Sequence, residues 1–157
     1  MLQRSTTLVL IFLTFPLAIF SQEMRVEQGD IKKNSISLNV AGTTPALGFT
    51  YERVLSNKIL VEFGVGIPSV GLGIKIYPFN FSNQKLMFHT GITSLLIAMG
   101  GDLYYRSFIT YVPFGISYFF ENNTHIGIDA GPAFGIDPDN GDRNTFPYGN
   151  FKVGFRF

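Results

Sequence analysis

Residues 59–79 read ILVEFGVGIPSVGLGIKIYPF. Ile59, Val61, Phe63, Val65 and Ile67 share one phase, and Leu60, Glu62, Gly64 and Gly66 the other. Beyond Pro68-Ser69 the alternation resumes, with Val70, Leu72, Ile74 and Ile76 against Gly71, Gly73, Lys75 and Tyr77. Apolar residues at every second position put one face of a β-strand in oil, and a break at proline and serine reads as a hairpin. The glycines here do not form a phosphate loop. Such a loop needs a helix behind its glycines to aim N–H groups at the anion, and Val70 to Ile76 alternates as a strand instead.

The same period runs through the rest of the chain. It predicts eight strands, over residues 35–42, 46–55, 59–67, 70–79, 85–97, 107–120, 124–135 and 148–157. No long stretch with a 3.6-residue period competes with them. Tight connections such as Thr43-Thr44-Pro45 and Ser56-Asn57-Lys58 contrast with longer ones near 98–106 and 136–147, expected at one end. An even count of strands of about ten residues, with such loops, describes an all-β, eight-stranded antiparallel up-and-down transmembrane β-barrel. A soluble lipocalin-like barrel would turn its apolar face inward. Here the face opposite the apolar one is dominated by glycine (Gly48, Gly64, Gly66, Gly71, Gly73, Gly127, Gly131), which suits a narrow interior rather than a wet surface. Phe49, Phe63, Phe114, Phe134, Phe151 and Phe155 share the other face, where lipid has room for them. Aromatics near strand ends (Tyr77 and Phe79, Tyr118 to Phe120, Phe146 and Tyr148) are expected as interfacial girdles.

The length of 157 residues suits one domain, and only 15% of residues are charged. Residues 1–21 carry Arg4, an apolar run from Leu8 to Phe20 and a small residue, Ser21. They read as an export signal cut before Gln22, the alternative being a short buried N-terminal helix. Residues 22–33 form a polar tail, leaving 34–157 as the barrel domain. Removing Arg4 from 12 basic residues leaves 11 against 11 acidic ones, and no basic stripe of the kind nucleic acid requires. The absence of cysteine excludes a disulfide framework and thiolate metal sites.

By phase, Glu52, Glu62, Lys75, Lys85, His89, Asp129, Lys152 and Arg156 face the lumen, and Glu52, Glu62, Lys75, Asp129, Lys152 and Arg156 form the expected charge network. A Pro68-Ser69 turn sets Glu62 opposite Lys75, a three-residue turn at 56–58 sets Glu52 opposite Glu62, and one closing register sets Asp129 opposite Lys152 and His125 opposite Arg156. The network reads as a salt-bridged filling, with an ion path as the alternative. The two histidines lie in no catalytic pattern, and no enzyme activity, cofactor or metal is expected. The loop Asp137-Pro138-Asp139-Asn140-Gly141-Asp142 has glycine where a calcium loop wants its third carboxylate, and reads as a solvated turn.

The chain ends YGNFKVGFRF, residues 148–157, with Phe151, Val153, Phe155 and Phe157 on one phase. With the eight alternating segments, this terminus resembles small outer-membrane β-barrel proteins of the OmpA-transmembrane-domain or OmpX kind, the outer membrane protein β-barrel domain families. The resemblance implies a final strand recognised by the barrel-assembly machinery, closure of that strand on the first, and residence in the outer membrane of a Gram-negative bacterium. It implies a monomer in outer-membrane lipid, in a structural or surface-interaction role, with any extracellular ligand meeting loops 98–106 and 136–147. A narrow pore, a lipid-A-modifying barrel enzyme and a soluble barrel are the alternatives.

Overall fold

The computed structural model describes residues 32–79, 86–99, 105–136, 141 and 143–157. The export signal and nearly all of the polar tail lie outside the described residues, as do Lys85 and most of the 137–142 loop.

The strands are β1 (Asn34–Ala41), β2 (Leu47–Ser56), β3 (Ile59–Gly66), β4 (Ser69–Ile76), β5 (Leu86–Met99), β6 (Tyr105–Tyr111), β7 (Phe114–Phe119), β8 (Thr124–Ile136) and β9 (Arg143–Arg156). All adjacent pairs are antiparallel, and β6 and β7 occupy successive halves of the gap between β5 and β8. They are one strand broken at Val112-Pro113, so nine segments make an eight-stranded barrel. Closure comes from β9 on β1, with Leu38 opposite Val153 and Ile36 opposite Phe155.

Burial runs opposite to that of a water-soluble barrel. Along β1, Ser35, Ser37 and Asn39 are buried while Ile36, Leu38 and Val40 are about half exposed. β4 repeats the pattern, with Gly71, Gly73 and Lys75 inside and Val70, Leu72, Ile74 and Ile76 outside. Phe49, Phe63, Phe114, Phe134, Phe151 and Phe155 all lie on the outer surface. β-branched and aromatic side chains favour the pleated backbone whichever face they take, so the strands form readily while the polar side turns inward.

Two small apolar clusters lie inside the barrel, toward opposite ends. Leu60, Tyr77 and Met87 pack with Val54 and Phe119 at the end where β1 begins and β9 ends, called the termini end below. Leu95, Ile97, Ile109, Tyr111 and Ala133 pack with Phe146 and Tyr148 at the other. They explain why Leu95, Ile109 and Phe119 occupy the polar phase: each covers one side of a charged layer between them. The girdle expectation is corrected accordingly. Tyr77, Phe119, Phe146 and Tyr148 close the lumen, whereas Phe79, Tyr118 and Phe120 lie outside.

Several boundaries move. β4 stops at Ile76, and β9 begins at Arg143, so much of the expected 136–147 loop is strand, with Ile136 opposite Arg143. Pro147 is tolerated because β9 there has risen past the end of β1, where Ala41 meets Asn150, leaving no ladder to break on that side. Its counterpart Pro132 faces the Val112-Pro113 break, and its carbonyl accepts from Val112 N at 3.1 Å. The β5–β6 and β8–β9 connections lie at one end, and the β4–β5 connection at the other.

Candidate functional site

The lumen is the one place where this fold concentrates chemistry, and its register decides which groups meet. The β3–β4 turn is Ile67-Pro68 rather than Pro68-Ser69, so Gly66 faces Ser69 and Lys75 faces Leu60. Glu62 is consequently opposite Gly73. Lys75 still reaches it along the diagonal, two residues away and within range of a long side chain. Its Nζ lies 3.0 Å from Glu62 Oε2 and 3.3 Å from Asp129 Oδ2. Glu52 does stand opposite Glu62. The two carboxylates are held by different cations, Glu52 by Lys152 and Glu62 by Lys75.

The closing pair is likewise shifted by two residues. Asp129 faces Asn150, Lys152 faces Gly127, and His125 faces Gly154. Lys152 therefore reaches past β1 to Glu52 on β2 instead of meeting Asp129. Arg156 does not stand opposite His125; its guanidinium stacks 3.6 Å above the centre of the Phe119 ring. Lys75 and Lys152 are essentially without solvent exposure, at 0% and 2%. Three carboxylates, two ammonium groups and one guanidinium thus share the interior with no net formal charge.

The remaining lone pairs are taken up by neutral donors. Asp129 accepts from Tyr111 OH at 2.7 Å and Asn150 Nδ2 at 3.2 Å, with His89 Nε2 at 3.4 Å. Glu52 accepts from Ser35 Oγ at 2.9 Å and lies 3.3 Å from His125 Nε2. Glu62 accepts from Thr93 Oγ1 at 2.8 Å. Ser117 Oγ lies 3.5 Å from His89 Nδ1, which outlines an acid–histidine–serine sequence. Ser117 is buried, and the Asp129 carboxylate of this sequence is also paired with Lys75.

Sequence reading missed the most distinctive part of the lumen, the β1–β2 turn. Residues 42–44 fold into the barrel mouth, and Thr43 and Thr44 are buried as deeply as core side chains. Ala41 and Gly42 carry positive φ (62° and 79°), which reverses the chain inward. Thr43 Oγ1 lies 2.5 Å from Thr50 Oγ1, Thr50 donates to Asn39 Oδ1 at 2.8 Å, and Asn39 Nδ2 donates to Thr44 Oγ1 at 3.1 Å. Tyr148 OH, on the adjoining strand β9, latches the turn by donating to Thr44 O at 2.9 Å. A side chain at Gly64 or Gly71 would strike Thr43, and one at Gly48 or Gly66 would strike Thr44. That glycine column on three consecutive strands was the available signal: its members serve one inserted turn rather than a generally narrow bore.

The sequence-predicted groups divide cleanly. Glu62, Lys75 and Asp129 form one ion-paired group and Glu52 and Lys152 a second, brought side by side where Glu52 stands opposite Glu62, while Arg156 lies apart against Phe119. Phe151, Val153, Phe155 and Phe157 line the outer surface of the closing strand. Among the described residues no cluster of histidines and carboxylates is arranged to hold a metal ion. No protein-family model, curated protein or solved structure matches this chain.

Proposed function

We propose that the protein is an integral outer-membrane β-barrel with a filled lumen that passes no solute, serving a structural or surface-interaction role. The inverted burial carries this reading: large apolar side chains cover the outside of the strands, while the carboxylates and ammonium groups are paired inside. In water such a surface would far exceed the apolar patch a soluble monomer tolerates. In hydrocarbon it costs nothing. The dimensions agree. Strands of 8 residues, as in β1, β3 and β4, run about 26 Å, or about 20 Å along a barrel axis tilted by roughly 40°, near the ~25 Å apolar band of such barrels.

The export signal and the phenylalanine-ended final strand support the outer membrane as the bilayer concerned. The inserted Thr43-Thr44 turn, the salt-bridged layer and the two apolar clusters support a plugged interior over a pore. Fractionation and reconstitution test the proposal together. The expected outcome is recovery in the outer-membrane fraction, release only by detergent, refolding into lipid vesicles and silence in planar bilayers. A folded protein that stays soluble without detergent would remove the membrane assignment. Steady conductance steps would instead remove the plug.

A further inference from the structure

At the end of the barrel where β1 begins and β9 ends, cations gather on adjoining strands. Lys32 and Lys33 precede β1, Arg53 lies near the end of β2, and Lys58 forms the β2–β3 turn. Backbone pairing makes them one arc. Arg53 stands between Asn34 of β1 and Val61 of β3, the Lys33 carbonyl accepts from Val54 N at 2.8 Å, and the Lys58 carbonyl accepts from Tyr77 N at 2.8 Å. Lys32 Nζ lies 5.7 Å from the centre of the Phe155 ring, which extends the arc onto β9. Lys32, Lys33 and Lys58 are exposed, and Arg53 is half-buried in the outward phase of its strand, directly below Tyr51 and Phe49. Negative charge described at this rim is the C-terminal carboxylate and Glu121. At the opposite rim the described strands carry two basic residues, Arg106 on β6 and Arg143 on β9.

We infer that this arc is a binding surface for anionic phospholipid headgroups, holding a ring of acidic lipid around β9, β1, β2 and β3; the inference rests on the membrane reading above. Two features select a lipid rather than a soluble anion. The cations border the apolar belt directly, so a ligand that fits must offer a phosphate at the level of Arg53 and an acyl chain beside Phe49, Ile59 and Phe155. Arg53 and the lysines are also spread along an edge rather than converging on one point, which suits several headgroups side by side. Tyr51, whose hydroxyl donates to Asn34 Oδ1 at 2.8 Å, sits at the boundary where an amphipathic ring is at home. Each cation close to an anionic membrane surface strengthens association about five-fold, and salt weakens it.

The test uses the full mature chain reconstituted in phosphatidylcholine vesicles containing a trace of spin-labelled lipid, either phosphatidylglycerol or phosphatidylcholine. The motionally restricted fraction of each label measures lipid held against the barrel. The expected result is several-fold stronger association of the phosphatidylglycerol label. The preference should fall toward unity in Lys33→Gln/Arg53→Gln/Lys58→Gln and in high salt, and stay unchanged in Arg143→Gln. Salt titration of the wild type and the single Lys58→Gln variant, in an exposed turn, give the answer even if the triple variant folds poorly. Equal restriction of both labels, or a preference indifferent to salt and to these substitutions, overturns the inference. Restriction of neither label would overturn the membrane reading itself.

Discussion

Lys75 shows how much one residue carries in a lumen this narrow. It sits between Glu62 and Asp129 with no exposure, and both acids depend on it for a counter-charge. Lys75→Ala leaves two buried carboxylates short of a cation and should destabilise the barrel by about 3–5 kcal/mol, the usual cost of breaking a buried pair from one side. Urea unfolding in vesicles, followed by tyrosine fluorescence, measures it. The same variant should remain silent in planar bilayers, because Thr43, Thr44 and both apolar clusters still close the bore. Asp129→Asn should cost less than Lys75→Ala, since Glu62 continues to hold the ammonium group. The inward phase of Glu52, Glu62, Lys75, Asp129 and Lys152 was legible from the strands, but their pairings were not, nor was the stacking of Arg156 on Phe119. Phase fixes which face a residue takes. Register depends on where the turn starts, and Ile67 at the tip of the β3–β4 turn is as apolar and exposed as any strand residue beside it. With apolar groups outside, nothing in residue type marks the end of the strand, so a two-residue slip passes unnoticed.

The β1–β2 turn is the element that most changes how the molecule works. Thr-Thr-Pro reads as an ordinary polar connection, and single-strand periodicity contains nothing that sends it inward. Its destination is written on other strands, in the glycines of β2, β3 and β4 that leave room for it. The contact can be isolated by a double-mutant cycle. Gly64→Ala should destabilise by about 1–3 kcal/mol through overpacking against Thr43. Adding Thr43→Gly, which removes both the Cβ and the hydroxyl that the new methyl would meet, should recover part of that loss, giving a coupling of about 0.5–3 kcal/mol for residues in contact. Unfolding midpoints of the two single variants and the double variant check it; strictly additive effects would mean the turn does not occupy the mouth. Tyr148→Phe removes only the latch to Thr44 O and should cost about 0.5–1.5 kcal/mol. The break between β6 and β7 was equally hard to read, because Pro113 lies within an alternating run that continues in the same strand position on both sides.

Across the whole molecule, the apolar outer surface and the neutralised polar interior are two consequences of one pattern. Every strand alternates, so the small and ionic residues can fill a cylinder eight strands wide only if the large apolar ones face away from it. This inversion was legible because glycine, not lysine or glutamate, dominates the second phase; a wetted face would have the opposite composition. The two apolar interior clusters were not legible, since Leu95, Ile109 and Phe119 look like lapses in alternation until their neighbours across the bore are known. What surrounds the barrel can be read from the depth dependence of an added charge. Leu72 lies mid-strand on β4, opposite Phe63, and is 64% exposed; Ile59 begins β3 at the termini end. In vesicles Leu72→Arg should cost about 2–4 kcal/mol and Ile59→Arg about 0–1 kcal/mol, because a guanidinium near the rim reaches headgroups and one at mid-depth does not. Arg53, outward on β2 opposite Val61, already occupies such a rim position. For a surface bathed in water, both substitutions should fall within about 0.5 kcal/mol of the parent. A gradient between the two variants, measured by unfolding in the same vesicles, reports hydrocarbon at the level of Leu72. Equal and negligible costs would place water there and remove the basis for a membrane-spanning barrel.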